Sequence, residues 1–208
     1  MNDAHKNVIF YVVSIFIIVI LLLLIILPFH ANNLDQAKRV AVWKSEYEQI
    51  EYCFSLVNLH EHSIIPKKEN ASESDELNLL MPYFRMDKND YILKKRYKYR
   101  KKNGRLARKD SQFYFDKFYK LKDGKLISLR KNINSNLKDN KPYFFLFIDI
   151  NGRKRPNRMG LDIFFVSIYK DHIEALGHDR PHVALKTNCS PIGSGAYCSE
   201  YYLLGGRF

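Results

Sequence analysis

The chain has 208 residues and a formal net charge of +12 at pH 7. This length corresponds to one domain of ordinary size plus a short additional segment. Phenylalanine and tyrosine, fourteen of each, supply enough apolar bulk for a hydrophobic core despite the high charge. The composition therefore excludes a chain that is too polar to fold.

The first third of the chain is predicted to be helical and to begin with a membrane anchor. Residues 1–7 form a short polar leader, and the run from Val8 to Leu27 contains no charge and no glycine. As a helix that run is ~30 Å long, close to the hydrocarbon thickness of a bilayer. It is longer than the apolar part of a cleaved signal peptide, and no A-x-A pattern follows it. We therefore predict a transmembrane helix over residues 8–28.

Residues 29–62 are predicted to continue as an amphipathic stalk helix. Apolar side chains recur at spacings of three and four residues, and charged residues lie between them. This spacing places the apolar side chains on one stripe of an α-helix, which the rest of the chain must cover. The stripe consists of Val40, Trp43, Tyr47, Ile50, Phe54 and Val57.

Residues 63–112 are predicted to form a loop-rich insertion whose second half is strongly basic. Ten of the sixteen residues from Lys94 to Lys109 are Lys or Arg, and none is acidic. With Tyr97 and Tyr99 interleaved, the run could bind nucleic acid through phosphate contacts and stacking. Anionic lipid headgroups or other polyanions fit equally well, and so does a solvated loop, because like charges repel. The candidate polyanion-binding residues are Lys94, Lys95, Arg96, Lys98, Arg100, Lys101, Lys102, Arg105, Arg108 and Lys109.

Residues 113–208 are predicted to form an antiparallel β-sheet followed by a C-terminal loop. Two aromatic and β-branched runs, 143–150 and 161–169, bracket a loop rich in turn formers, which predicts a hairpin. An Asp123-Gly124 pair indicates an earlier hairpin turn, and a third strand is expected at 172–175. The predicted fold class is α+β, an N-terminal transmembrane helix continuing into an amphipathic helix packed on the sheet.

The three cysteines have different expected roles. Cys53 lies beside Phe54 on the stalk helix and is predicted to be a core residue. Cys189 and Cys198 lie in a segment rich in Gly, Ser and Pro, where a disulfide would stabilise the fold by roughly 2–3 kcal/mol in an oxidising compartment. No histidine lies near them at ligand spacing, so a zinc site is not expected.

The second predicted hairpin carries a recognisable motif. The run FIDINGRKRPNRMGLDIFFV resembles a segment of the type IV pilin-like and type II secretion pseudopilin-like family. Arg155 stands where that family has glycine. The resemblance is continuous over residues 113–203 and general over 8–62. The matching motif positions are Asp149, Asn151, Gly152, Pro156, Asn157, Gly160, Asp162 and Phe164.

The resemblance implies a pilin-like fold, a disulfide between Cys189 and Cys198, and a single-pass protein of the bacterial inner membrane with a periplasmic C-terminal domain. The basic residues that follow the apolar run favour the opposite orientation by the positive-inside rule, but only weakly. The family's prepilin peptidase site would fall on residues 6–11. There Lys6 replaces the glycine before the cut, and Tyr11 replaces the glutamate that pairs with a neighbouring subunit. We therefore expect no normal prepilin processing.

Two alternatives apply to the polar residues of the motif. Asp149, Asn151 and Asp162 could contribute oxygens to a Ca²⁺ ion, which takes six or more such ligands. Alternatively, they hydrogen-bond the backbone of the loop that they flank, as Asx residues do in turns. Only two carboxylates are present, and their spacing is not that of an EF-hand, which weighs against the Ca²⁺ alternative.

The predicted function is non-enzymatic, because the chain has no P-loop, no C-x-x-C and no nucleophile elbow. The expected partners are the membrane bilayer and other pilin-like subunits or secretion and pilus machinery. The alternative prediction, from a different class, is a membrane-anchored polyanion-binding module that uses residues 94–109, with nucleic acid as one possible ligand.

Overall fold

The computed structural model describes residues 3–67, 71–108, 111, 113–132 and 141–207, without the side chains of 3–10, 27–33, 88 and 94. The chain is an α+β protein with an antiparallel sheet. It divides into two compact units, of which the second begins at Arg39. The first helix, α1, is Asp3–Glu61.

The predicted transmembrane helix is wrong. Within the described part of the chain, no helix is long and apolar enough to cross a membrane.

The sheet is a six-stranded meander in which each strand pairs with the next one along the chain. All neighbouring pairs are antiparallel, so the spatial order of the strands is their sequence order. The predicted hairpin over 143–169 is confirmed, with Phe147 opposite Phe165 in register. The predicted Asp123-Gly124 turn is also confirmed, since it joins β2 to β3. The strands are β1 Met86–Leu93, β2 Lys117–Leu121, β3 Leu126–Lys131, β4 Phe144–Asp149, β5 Ile163–Ile168 and β6 Ile173–Ala175.

One face of the sheet packs on the stripe of α1. Trp43 stacks on Phe164 of β5, with ring centroids 4.4 Å apart, and its indole N–H donates to Ser199 O. Strand side chains alternate between the two faces, so Phe144, Leu146 and Ile148 all point towards α1. The predicted stripe is confirmed, with Trp43, Ile50, Phe54 and Val57 buried, and Val40 and Tyr47 partly buried against the same cluster.

The opposite face of the sheet is covered by aromatic residues from irregular segments. Phe147 lies at the centre of this second cluster, and its ring is 5.2 Å from that of Tyr99 and 5.3 Å from that of Phe115. Both faces of β4 and β5 are therefore dry. This is why these two strands are apolar almost throughout instead of alternating with polar residues.

The predicted loop-rich insertion contains more regular structure than expected. Helix α2, Glu73–Phe84, begins at a capping box in which Ser72 and Asp75 bond each other's backbone N–H groups. Arg85 then ends it in the left-handed conformation, and β1 follows at the edge of the sheet. The remaining helices are the short α3, His182–Asn188, and α4, Cys198–Leu203.

Candidate functional site

The motif loop, residues 150–162, connects β4 to β5. Three of its residues have a positive φ, namely Gly152 at 68°, Asn157 at 49° and Gly160 at 72°. At Gly160 a side chain is also excluded by space, since a Cβ atom would lie 2.3 Å from Cys198 Sγ. Only glycine combines this conformation with so close an approach. The glycine of the motif therefore fixes the contact between the motif loop and the C-terminal cysteines.

Asp162 organises the motif loop by accepting hydrogen bonds at both carboxylate oxygens. Its Oδ2 accepts from the backbone N–H of Asn157 at 2.7 Å, and its Oδ1 accepts from that of Arg158 at 2.6 Å. The side-chain amide of Asn151 donates to Oδ2 at 3.2 Å. The prediction that these residues hydrogen-bond the backbone of the loop they flank is confirmed for Asp149 and Asp162, whereas the Asn151 side chain bonds the Asp162 carboxylate.

Asp149 joins the motif loop to the basic run. It is fully buried, and it accepts hydrogen bonds from the Tyr97 hydroxyl and the backbone N–H of Asn151. Burial raises the pKa of Asp149 to about 8, and the charge of Asp162 adds to this, while both hydrogen bonds oppose it. Burial raises the pKa of Asp162 as well. Close to neutral pH, Asp149 therefore holds a proton.

The geometry gives little support to a Ca²⁺ site. The carboxylate oxygens of Asp162 already accept from three N–H donors, and Asp149 accepts from a hydroxyl and an N–H. In the described part of the chain, no group of three His, Cys, Asp or Glu side chains could hold a metal ion. Two carboxylates engaged in this way do not provide the six or more oxygens that Ca²⁺ takes.

The disulfide that the resemblance implied is formed. The sulfur atoms of Cys189 and Cys198 are 2.01 Å apart, and both residues are buried. Within the described residues, Cys53 is the free cysteine, and it packs against the core cluster that contains α1. The disulfide closes a loop, residues 189–198, which we call the disulfide loop.

The basic run is fastened to both of these loops. The backbone N–H of Arg100 donates to Asn157 O in the motif loop at 2.9 Å. The N–H of Lys102 donates to Ser194 O in the disulfide loop at 2.8 Å. A segment that makes such backbone bonds has a defined path over the domain. Residues 97–105 are therefore an ordered segment and not a disordered loop, although Lys98, Arg100 and Arg105 remain exposed to solvent.

The side chains of the basic run point in two directions. Tyr97 and Tyr99 are buried in the second cluster, with 2% and 0% of their surface exposed, so neither ring can stack on a base. The intervening Lys98 and the following Arg100 are exposed. This alternation has the period of two that an extended segment shows when one face is buried, and it was present in the sequence.

One basic residue of the run turns inward. Lys102 is half-buried, and its Nζ lies 2.9 Å from the Tyr202 hydroxyl and 3.5 Å from Cys189 Sγ. Burial lowers the pKa of Lys102 to about 8. This lysine therefore contributes less positive charge to the surface than its neighbours do.

The remaining basic residues join a second group that the sequence analysis did not include. Arg153 of the motif loop lines the same recess as Lys95 and Arg96. Lys101 is half-buried, while the side chain of Lys94 and the whole of Lys109 lie outside the described residues. We call the exposed cations of both segments the basic surface, which consists of Lys95, Arg96, Lys98, Arg100, Arg105, Arg108, Arg153, Lys154 and Arg155.

No protein-family model, no curated protein and no solved structure matches the chain. The resemblance to the pilin-like family therefore remains a prediction from the residues of the motif.

Proposed function

We propose that the chain is a non-enzymatic structural or interaction protein of pilin-like type, acting with other pilin-like subunits of a type II secretion or type IV pilus system. This proposal rests on the structure of the motif loop. Its matching residues serve to hold a hairpin against a disulfide loop, with Asp162 binding the backbone and Gly160 contacting Cys198. In this proposal the motif residues fix the shape of the loop, and the folded domain makes the contacts with other proteins.

The disulfide supports an oxidising location for this domain, such as the bacterial periplasm, because structural disulfides are rare in reducing compartments. Lys6 and Tyr11 at the positions of the peptidase site further imply a subunit that is not processed as a normal prepilin. Its role would then lie beside a filament or secretion complex, through contacts made by the folded domain.

The test is co-purification of the full chain with named pilin-like subunits of the same genome, expressed together in bacterial cells. We expect at least one of them to be retained at both 0.1 and 0.5 M salt, because contacts between folded domains bury apolar surface. The variant Gly160→Val, which disturbs the motif loop, should lose that subunit, whereas Lys154→Ala at the exposed loop tip should keep it. Retention of none of these subunits at either salt concentration would overturn the proposal.

A second candidate function, binding of a polyanion, is favoured by the basic surface. Backbone bonds to the motif loop and the disulfide loop fix the path of the basic run at Arg100, Lys102 and Asn103. A preorganised cationic surface binds polyanions without first ordering a mobile chain. In the described part of the chain, its cations are contributed by segments 95–108 and 153–155, which adjoin each other at Arg100 and Asn157.

Polyphosphate is a suitable probe for this second function, because it carries charge and no other recognisable group. We expect its affinity to fall steeply with salt, as counterion release requires. The triple variant Lys98→Ala, Arg105→Ala, Arg108→Ala should weaken binding and reduce the salt dependence. A matched triple of exposed lysines elsewhere, Lys120→Ala, Lys170→Ala, Lys186→Ala, removes the same charge and should bind nearly as wild type. Equal losses of affinity in the two triple variants would mean that binding depends on the net charge of the chain and not on the basic surface.

A further inference from the structure

A recess of about 380 Å³ lies where the edge strand β1 meets the basic surface. Lys95 and Arg96 contribute its cations from one side, and Arg153 contributes another from the motif loop. No carboxylate is among the described residues that line it. Arginine binds phosphate oxygens with a planar, two-pronged donor group, so a recess of this kind suits a phosphodiester.

The recess continues into a larger groove of about 840 Å³ across the side chains of Asn89 and Tyr91, which line both. Lys117 and Arg130 supply cations to the groove, and Glu73 and Asp116 supply acids. Three tyrosines line it, namely Tyr91, Tyr114 and Tyr119. The surface thus changes from purely cationic in the recess to aromatic and mixed in charge in the groove.

Tyr91 occupies the border between the recess and the groove. Its side chain is 43% exposed although it is large and aromatic, and the Tyr119 ring supports it at 6.1 Å. Lys117 Nζ lies 5.2 Å from the centre of the Tyr91 ring. An exposed ring beside a cationic recess is the arrangement that single-stranded nucleic acids use.

We propose that the recess and the groove together bind single-stranded nucleic acid, with a phosphate between Arg96 and Arg153 and a base stacked on Tyr91. The proposal rests on the second candidate function, polyanion binding, and names its ligand. A polymer without rings would use the recess alone. A duplex would keep its bases paired and stacked, so it could not present one to Tyr91.

The test measures the fluorescence anisotropy of a labelled dT12 oligonucleotide with the full chain. Tyr91→Ala should weaken binding about tenfold, since stacking contributes ~1–3 kcal/mol per base, while Tyr91→Phe should bind nearly as wild type. The salt dependence should stay unchanged in Tyr91→Ala, because no phosphate contact is lost. Tyr52→Ala, which removes an exposed tyrosine from α1, is the control.

The double variant Arg96→Ala, Arg153→Ala removes the contacts to that one phosphate, so it should weaken binding and lower the slope of log K against log salt by about 0.7. A matched oligonucleotide with abasic sites should bind equally well to wild type and to Tyr91→Ala. Circular dichroism of each variant establishes that it is folded. Because Tyr91 lies on an edge strand and is exposed, its replacement should leave the fold intact.

Three results would overturn this inference. One is equal affinity of wild type and Tyr91→Ala for dT12, and another is tighter binding of duplex than of single strand. The third is polyphosphate binding as tight as that of dT12 with the same response to every variant, which would leave polyanion binding standing without a role for bases. Failure to bind either probe would remove the second candidate function itself.

Discussion

The two faces of the sheet are covered in different ways. On one face a helix presents a regular stripe, and Trp43 stacks on Phe164. On the other face, aromatic side chains such as Tyr97 and Tyr99 project from segments that are neither helix nor strand. The second cover holds its position through backbone bonds, a disulfide and a buried carboxylate. A sheet face can thus be sealed without a second helical layer when its covering loops are themselves fastened.

The largest expected effect is a loss of stability in a variant of the helical face. Trp43→Ala removes a fully buried ring and its hydrogen bond to Ser199 O, and should lower the free energy of unfolding by ~3–5 kcal/mol. The measurement is urea unfolding followed by circular dichroism. Tyr52→Ala, on the exposed side of the same helix, should change stability by less than ~0.5 kcal/mol. Similar losses of stability in both variants would show that packing of the stripe does not stabilise the fold.

The disulfide tests how the basic run is held over the other face. The disulfide loop bonds to that run, although both cysteines are buried in the cluster of the helical face. Cys189→Ala, Cys198→Ala should lower the free energy of unfolding by about 2–3 kcal/mol, because the unfolded chain gains freedom. Hydrogen exchange should rise at the amides of Lys102 and Asn103, which bond to the disulfide loop, and much less in α1. Cys53→Ala leaves the disulfide intact and serves as the control. A uniform rise across both faces would contradict a local role.

Asp149 makes the second face sensitive to pH. Since burial raises the pKa of Asp149 to about 8, the folded chain holds a proton there that the unfolded chain releases near pH 4. The free energy of unfolding should therefore fall between pH 5 and pH 8, by roughly 3–4 kcal/mol from this residue. Asp149→Asn, which is neutral throughout, should flatten that slope in urea unfolding. The exposed Asp179→Asn should leave it unchanged, and an unaltered slope in Asp149→Asn would contradict the assignment.

Glu76 of α2 is the counterpart of Asp149 on the helical side. It is fully buried, neither carboxylate oxygen has a hydrogen-bond partner, and burial raises its pKa to about 8. An unpartnered buried polar group destabilises the folded state, so Glu76→Leu should raise the free energy of unfolding by about 1 kcal/mol at pH 8. Glu76→Gln keeps the polar group and should gain less. A loss of stability in Glu76→Leu would mean that the carboxylate has a role in the native state.

The difference between the two faces also explains what the sequence could predict. The stripe from Trp43 to Val57 follows from helical spacing alone, and the β4–β5 hairpin follows from its apolar runs and turn residues. Helix α2 was missed although Ser72 and Asp75 form a capping box. Pro82 and the polar residues around this helix weakened its pattern. The transmembrane prediction rested on hydropathy alone and was wrong.

The sequence predicted the charges of the candidate site but not its geometry. The charges of lysine and arginine can be read directly from a sequence, so most residues of the basic surface were predicted. The inward direction of Tyr97 and Lys102 depends on contacts with residues that lie 52 and 100 positions away, Asp149 and Tyr202. Tyr91 and Arg153 were missed for the same reason, because only the folded chain brings both to one recess. Local patterns carry no information about such distant contacts.

Trp43 is the only tryptophan of the chain. Its indole lies against Phe164 on the helical face, so its emission reports the docking of the helix and little else. Loosening of the second face would leave that signal unchanged while the cluster around Tyr97 and Tyr99 opens. Tryptophan fluorescence and hydrogen exchange at the amides of Lys102 and Asn103 should therefore yield separate unfolding curves wherever the two faces lose their cover at different denaturant concentrations.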